Sequence, residues 1–193
     1  MRRVCVFCGS SVGRHGRYRA AAESLARALV ARGIGLVFGG GSVGLMGVVA
    51  DAVLAGGGSV TGVIPHGLAV REVAHTRLAD LRVVPTMHAR KALMAELSDG
   101  FVALPGGYGT LEELLEVVTW AQLGIHAKPM GILDVGDYYA PLVALFDRAV
   151  EEGFVSPENR SLVLVDESAD ALLDRMAAWR APARRAWVTP EEA

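Results

Sequence analysis

Cysteine and lysine are scarce in this chain of 193 residues, with two of each: Cys5 and Cys8, Lys91 and Lys128. Two cysteines exclude a disulfide framework and point to a reducing compartment. An excess of charge of one sign is also missing. A net charge of -2 and a pI near 6.2 offer no basic face to a nucleic acid. No stretch approaches the ~20 apolar residues of a membrane span. The apolar run Val4 to Cys8 is too short for a signal peptide. Linkers and internal repeats are absent, and 52% hydrophobic residues exclude low-complexity disorder. The expectation is a cytoplasmic globular protein with neither nucleic acid nor membrane as partner.

What is present is a regular alternation. Apolar, β-rich runs fall at Arg3–Cys8, Ile34–Phe38, Ser59–Ile64, Leu81–Val84, Gly100–Leu104, Pro129–Asp134 and Leu162–Val165. Helical patterns lie between them, near 17–32, 43–55, 87–98, 111–123, 138–152 and 168–180. Buried strands separated by helices predict a mainly parallel sheet covered on both faces. The fold class is α/β: one Rossmann-like, doubly wound domain over residues 1–180. The tail 181–193, with Pro182, Arg184, Arg185 and Pro190, reads as peripheral. Ligands of such folds sit beyond the carboxyl ends of the strands. Four predicted strand ends carry unusual residues: Cys8–Ser11, Gly39–Gly44, Pro85–Lys91 and Pro105–Thr110.

Some patterns carry less than their spelling suggests. Gly39-x-Gly41-x-x-Gly44 matches a dinucleotide fingerprint, yet Ile64-Pro65-His66 stands where a ribose-binding acid belongs. A tight turn with close helix packing explains the glycines better. Cys5 and Cys8 spell C-x-x-C inside a strand, where a three-residue step puts them on opposite faces. No histidine shows metal-ligand spacing, so no metal site is expected. Ser10 is either a turn residue or a hydrogen-bonding partner for a ligand.

The segment Pro105-Gly106-Gly107-Tyr108-Gly109-Thr110 is more informative. It joins a buried strand to a helix, and its glycines let backbone N–H groups turn outward at the positive end of that helix. No Gly-Lys-Ser/Thr closes it, so a phosphate is implied without ATP. Thr110 and Glu113 also spell a capping box, but Glu113 lies off the apolar stripe Leu111, Leu114, Leu115, Val118, within a turn of the proposed phosphate. Glu112 and Glu116 read as solvent-facing charges or acceptors for ribose hydroxyls. In the preceding helix, Arg90 sits at the centre of the stripe Met87, Leu93, Met94, Leu97. It either snorkels or delivers a guanidinium, beside Lys91, to a carboxylate or phosphate.

Pro105-Gly106-Gly107-x-Gly109-Thr110-x-x-Glu113, with Met87-His88-x-Arg90-Lys91 upstream, resembles the "lonely guy" family of cytokinin-activating phosphoribohydrolases, earlier mislabelled lysine decarboxylases. The resemblance runs from Val4 to about Val165 and includes Cys8–Ser11, Gly44–Gly47 and Thr119–Gly124. It implies hydrolysis of the N-glycosidic bond of N6-substituted adenosine 5′-monophosphates, and of AMP, to free base and ribose 5-phosphate. It also implies a homodimer or larger assembly with sites near the subunit interface, and no cofactor. By the motifs it makes Arg90 and Glu113 catalytic. Glu72, Lys91, Gly107, Tyr108, Gly109, Thr110, Leu111, Glu112 and Thr119 would be substrate-site positions, joined by Ser10 from the loop reading. The chief rival is a non-catalytic nucleotide-binding or carrier module. A pyridoxal-phosphate enzyme would need a Schiff-base lysine, and neither Lys91 nor Lys128 has an evident pyridinium partner.

Overall fold

The computed structural model describes residues 1–69 and 74–182. Among these, the strands are β1 (Arg3–Phe7), β2 (Gly35–Phe38), β3 (Val60–Pro65), β4 (Asp80–Val84), β5 (Gly100–Ala103), β6 (Met130–Leu133) and β7 (Val163–Asp166). They make one sheet in the order β4-β3-β2-β1-β5-β6-β7, parallel at every pairing. The helices are α1 (Gly16–Ala31), α2 (Gly44–Ala55), α3 (His66–Leu68), α4 (Met87–Glu96), α5 (Tyr108–Leu123), α6 (Ala140–Glu151), α7 (Pro157–Arg160) and α8 (Ala169–Ala178). This is the expected Rossmann-like architecture. Inner strands β1, β2, β3, β5 and β6 are buried, whereas the edge strands β4 and β7 are partly open to solvent.

Because side chains alternate along a strand, β1 feeds two separate cores. Val4 and Val6 pack with Leu25, Leu29, Val49 and Leu172 from α1, α2 and α8. Cys5 and Phe7 pack on the other face with Met94, Leu114 and Val117 from α4 and α5. Cys8 belongs to the first core and Cys5 to the second, so the two thiols do lie on opposite faces. Parallel pairing brings all strand carboxyl ends to one edge. The chain leaves β1 toward β2 on one side and finds β5 on the other, which opens a crevice at that edge.

Helix boundaries follow their local chemistry. Thr86 accepts the Ala89 amide at 3.1 Å to start α4, Ser168 starts α8 in the same way, and left-handed Gly124 stops α5. One expectation fails. α5 begins at Tyr108 with Gly107 as its N-cap, so Thr110 is inside the first turn and forms no capping box with Glu113. The buried Thr110 side chain instead packs onto Gly106, where a Cβ would overlap it. The short helices α3 and α7 were not expected. α7 starts because Ser156 accepts the Asn159 amide and Pro157 fits the first helical position. The predicted tail lies outside the described residues from 183 onward.

Candidate active site

Strand-end loops and four helices enclose a cleft of about 380 Å³ at the carboxyl edge of the sheet. Cys8 and Ser10 come from the end of β1, Gly39, Gly41 and Val43 from the β2–α2 turn, and Met46 from α2. Ile64 comes from the end of β3, Leu68 from α3 and Arg90 from α4. Gly107, Tyr108, Gly109, Thr110 and Glu113 belong to the start of α5. One wall is therefore apolar, and the opposite wall carries amides and charges. A smaller hollow of about 300 Å³ adjoins it, sharing Ser10 and Gly107 and reaching Tyr18 and Tyr138.

Arg90 and Glu113 are both buried, 8% and 9% exposed, with Nη2 3.5 Å from Oε1. Arg90 does not snorkel. Its guanidinium points inward over Gly39, where any Cβ would overlap Nη2, so glycine at 39 makes the seat this side chain occupies. Arg90 Nη1 lies 3.8 Å from the Met87 sulfur, and among the described residues Nε has no hydrogen-bond partner. A buried donor left open is costly unless something else meets it. Burial raises the Glu113 pKa above the ordinary carboxylate value, with Arg90 pulling the other way and Glu112 adding to the rise. Burial, reinforced by Glu113, pushes the Cys8 thiol far up, so it stays protonated. The third fingerprint glycine, Gly44, has φ 65° and abuts the Ser10 backbone. Its neighbour Leu45 donates to Gly9 O at 2.9 Å. Gly44 thus serves close packing, while Gly39 and Gly41 line the cleft.

The structure brings Ser10, Arg90, Gly107, Tyr108, Gly109, Thr110 and Glu113 together around the cleft. Four of the other expected site residues, Lys91, Leu111, Glu112 and Thr119, do not line it. Lys91, one residue past Arg90, turns away and binds the carboxylates of Glu112 and of Glu116, the latter at 2.9 Å. Leu111 packs into the core beneath α5. Thr119 is exposed two turns along that helix, its hydroxyl donating to Leu115 O at 2.8 Å. Glu72 lies outside the described residues. The apolar wall of Val43, Met46, Ile64 and Leu68 went unrecognised in the sequence, where these residues are ordinary hydrophobes.

Neither lysine offers a free amine. Burial works against the Lys91 charge, but Glu112 and Glu116 outweigh it and raise its pKa above the ordinary lysine value. Lys128 Nζ donates to Ala95 O at 2.7 Å, and burial lowers its pKa. Neither side chain lines the cleft.

A family model described as "Possible lysine decarboxylase" matches residues 46–176. The "Probable cytokinin riboside 5'-monophosphate phosphoribohydrolase LOGL5" of Oryza sativa subsp. japonica is 56% identical over 181 residues, spanning 94% of this chain and 74% of its own length. The "Cytokinin riboside 5'-monophosphate phosphoribohydrolase LOG3" of Arabidopsis thaliana is 54% identical over 175 residues, spanning 91% and 81%. Among solved structures, the Moco carrier protein from Chlamydomonas reinhardtii superposes with a TM-score of 0.67 at 20% identity, covering 92% of this chain and 98% of that one. That likeness shows the fold alone. The family match over residues 46–176 and relatives above 50% identity agree: the chain belongs to the family of the "lonely guy" cytokinin riboside 5′-monophosphate phosphoribohydrolases.

Proposed function

We propose that this protein hydrolyses the N-glycosidic bond of cytokinin riboside 5′-monophosphates, and of AMP, releasing the free base and ribose 5-phosphate. The observation that carries the reading is the buried Arg90–Glu113 pair, one turn from the glycine-bounded start of α5 and in the same cleft. The first amides of a helix lack intrahelical partners and favour an anion. With the 5′-phosphate on the amides of Gly107 to Thr110, the ribose reaches Glu113 and the base extends along Val43, Met46, Ile64 and Leu68. Cleavage passes through an oxocarbenium-like state. The Glu113 carboxylate stabilises that state or accepts the proton of the attacking water as its oxygen bonds to C1′. The C1′–N bond breaks, its electron pair leaves with the base, and the base takes up a proton from solvent to balance the one lost by the attacking water. Arg90 offsets part of the rise that burial imposes on the Glu113 pKa, and its Nε offers a donor to substrate. No step calls for a metal or an organic cofactor. A Schiff-base reaction, which the family's older description suggests, needs a neutral amine. Lys91, held as a cation by two carboxylates, is a poor one.

The same reading makes the protein a cytoplasmic homodimer, with neither nucleic acid nor membrane as partner. Its two buried, unpaired thiols suit a reducing compartment. Among the described residues no helix is long and apolar enough to cross a membrane.

The test is release of ribose 5-phosphate from isopentenyladenosine monophosphate, AMP and the matching nucleosides. Remote binding of the phosphate is used to position C1′, so the monophosphates are expected to turn over about 100-fold faster or more. Equal rates with nucleosides would remove the phosphate seat from the mechanism. Binding without turnover would favour a carrier.

A further inference from the structure

The turn that leads into α5 is held from behind. Three successive carbonyls are each taken by a donor from another loop. Leu104 O accepts the Tyr139 hydroxyl at 2.8 Å, Pro105 O accepts the Gly9 amide at 3.1 Å, and Gly106 O accepts the Tyr138 hydroxyl. The two tyrosines follow β6 on a loop built to aim them. Gly136 and Asp137 both adopt left-handed backbone, φ 61° and 59°, a region that a non-glycine residue enters at a cost. The Asp134 carboxylate accepts the Tyr139 amide at 2.9 Å. The two rings meet edge to face with centroids 5.0 Å apart. Burial pushes the Tyr139 phenol up, so it remains a donor.

A trans peptide is planar, with its C=O and N–H pointing in opposite directions. Holding the Gly106 carbonyl on Tyr138 therefore turns the Gly107 N–H to the opposite side of the peptide, away from Tyr138, at a residue that lines the cleft. A peptide between two glycines is the one freest to rotate, because no side chain restrains it. We infer that Tyr138 is a positioning residue for anion recognition: its hydroxyl sets the Gly106–Gly107 peptide so that the Gly107 amide meets the 5′-phosphate. The inference rests on the proposed phosphate seat but needs no hydrolysis.

Tyr138→Phe removes one hydroxyl from a side chain that is 41% exposed and keeps the ring contacts. Calorimetry with inorganic phosphate and with ribose 5-phosphate is expected to show both binding about five- to tenfold more weakly, the ordinary range for one hydrogen bond. KM for AMP should rise by a similar factor while kcat stays within about twofold and the thermal midpoint holds. A second variant, Gly107→Pro, deletes the amide itself. If Tyr138 acts through that amide, Tyr138→Phe adds no further loss of phosphate affinity in the Gly107→Pro background. Unchanged phosphate affinity in Tyr138→Phe, a loss confined to kcat, or additive losses in the double variant would each overturn the inference. Wild-type protein that binds phosphate through Tyr138 yet cleaves no monophosphate would instead overturn the proposed function and leave this inference standing. Wild-type turnover with a Tyr138→Phe variant that binds phosphate normally would do the reverse.

Discussion

Burial favours the neutral acid at Glu113, and this has consequences of opposite sign for stability and turnover. Its folded-state pKa is raised, so its contribution to stability is fully present below the unfolded value near 4.5 and is lost as pH rises through the folded value. Ionising this carboxylate therefore weakens the fold. Glu113→Gln keeps the shape and removes the charge. We expect its thermal midpoint to exceed that of the wild type at pH 7, with the advantage vanishing below about pH 4.5. Its turnover should fall about 100-fold or more, the scale of one lost acid–base or electrostatic group. The acid limb of the wild-type kcat/KM profile should lie above the ordinary glutamate value. Midpoints and rates measured side by side across pH check all three. A midpoint lower than wild type at pH 7 would show that Arg90 compensates the charge fully.

At the scale of elements, α4 and α5 are clasped by Lys91, whose side chain is only 9% exposed and whose ammonium bridges Glu112 and Glu116 one turn apart. Lys91→Met keeps most of the stem and removes the cation, leaving two like charges facing each other along α5. The expected cost is about 1–2 kcal/mol, because Glu112 is more than half exposed and solvent screens it. Turnover should fall by less than about tenfold, since Arg90 has its own seat on Gly39. Thermal denaturation beside the hydrolysis rate measures both. A variant with wild-type stability would show that core packing alone joins the two helices. This clasp also marks where the sequence stops being legible. Strands and long helices could be read because apolar periodicity and capping residues are local. The start of α5 could not, since Gly-Gly-Tyr-Gly-Thr has the composition of a loop and becomes helical only by packing Thr110 on Gly106. Arg90 and Glu113 stood out as charges at telling positions. That Lys91 turns away from the cleft, that residue 39 must yield to residue 90, and that Tyr138 reaches Gly106 are facts of tertiary packing, with no spacing rule to reveal them.

For the whole molecule, the mean hydropathy of +0.35 is high for a chain of this length, and some of its apolar surface remains outside. α6 buries none of its residues, Leu145 is 62% exposed, and Phe154 just beyond it is 84% exposed. Light scattering at micromolar concentration should give twice the 20.3 kDa chain mass. A monomeric mass would mean that this surface stays wet. The strand order has a temporal consequence as well. β1 precedes its neighbour β2 by about thirty residues, but its other neighbour β5, Gly100 opposite Val4, is made only when about half the chain has been synthesised. The four strands β4-β3-β2-β1 can assemble as a nascent unit, but one side of β1 stays open during synthesis. The cleft straddles that last-closed seam, with Ser10 and Gly39 on the early half and Glu113 on the late one. Catalytic competence therefore arrives only when the two halves zip together, and the first burst of turnover during translation would time that event.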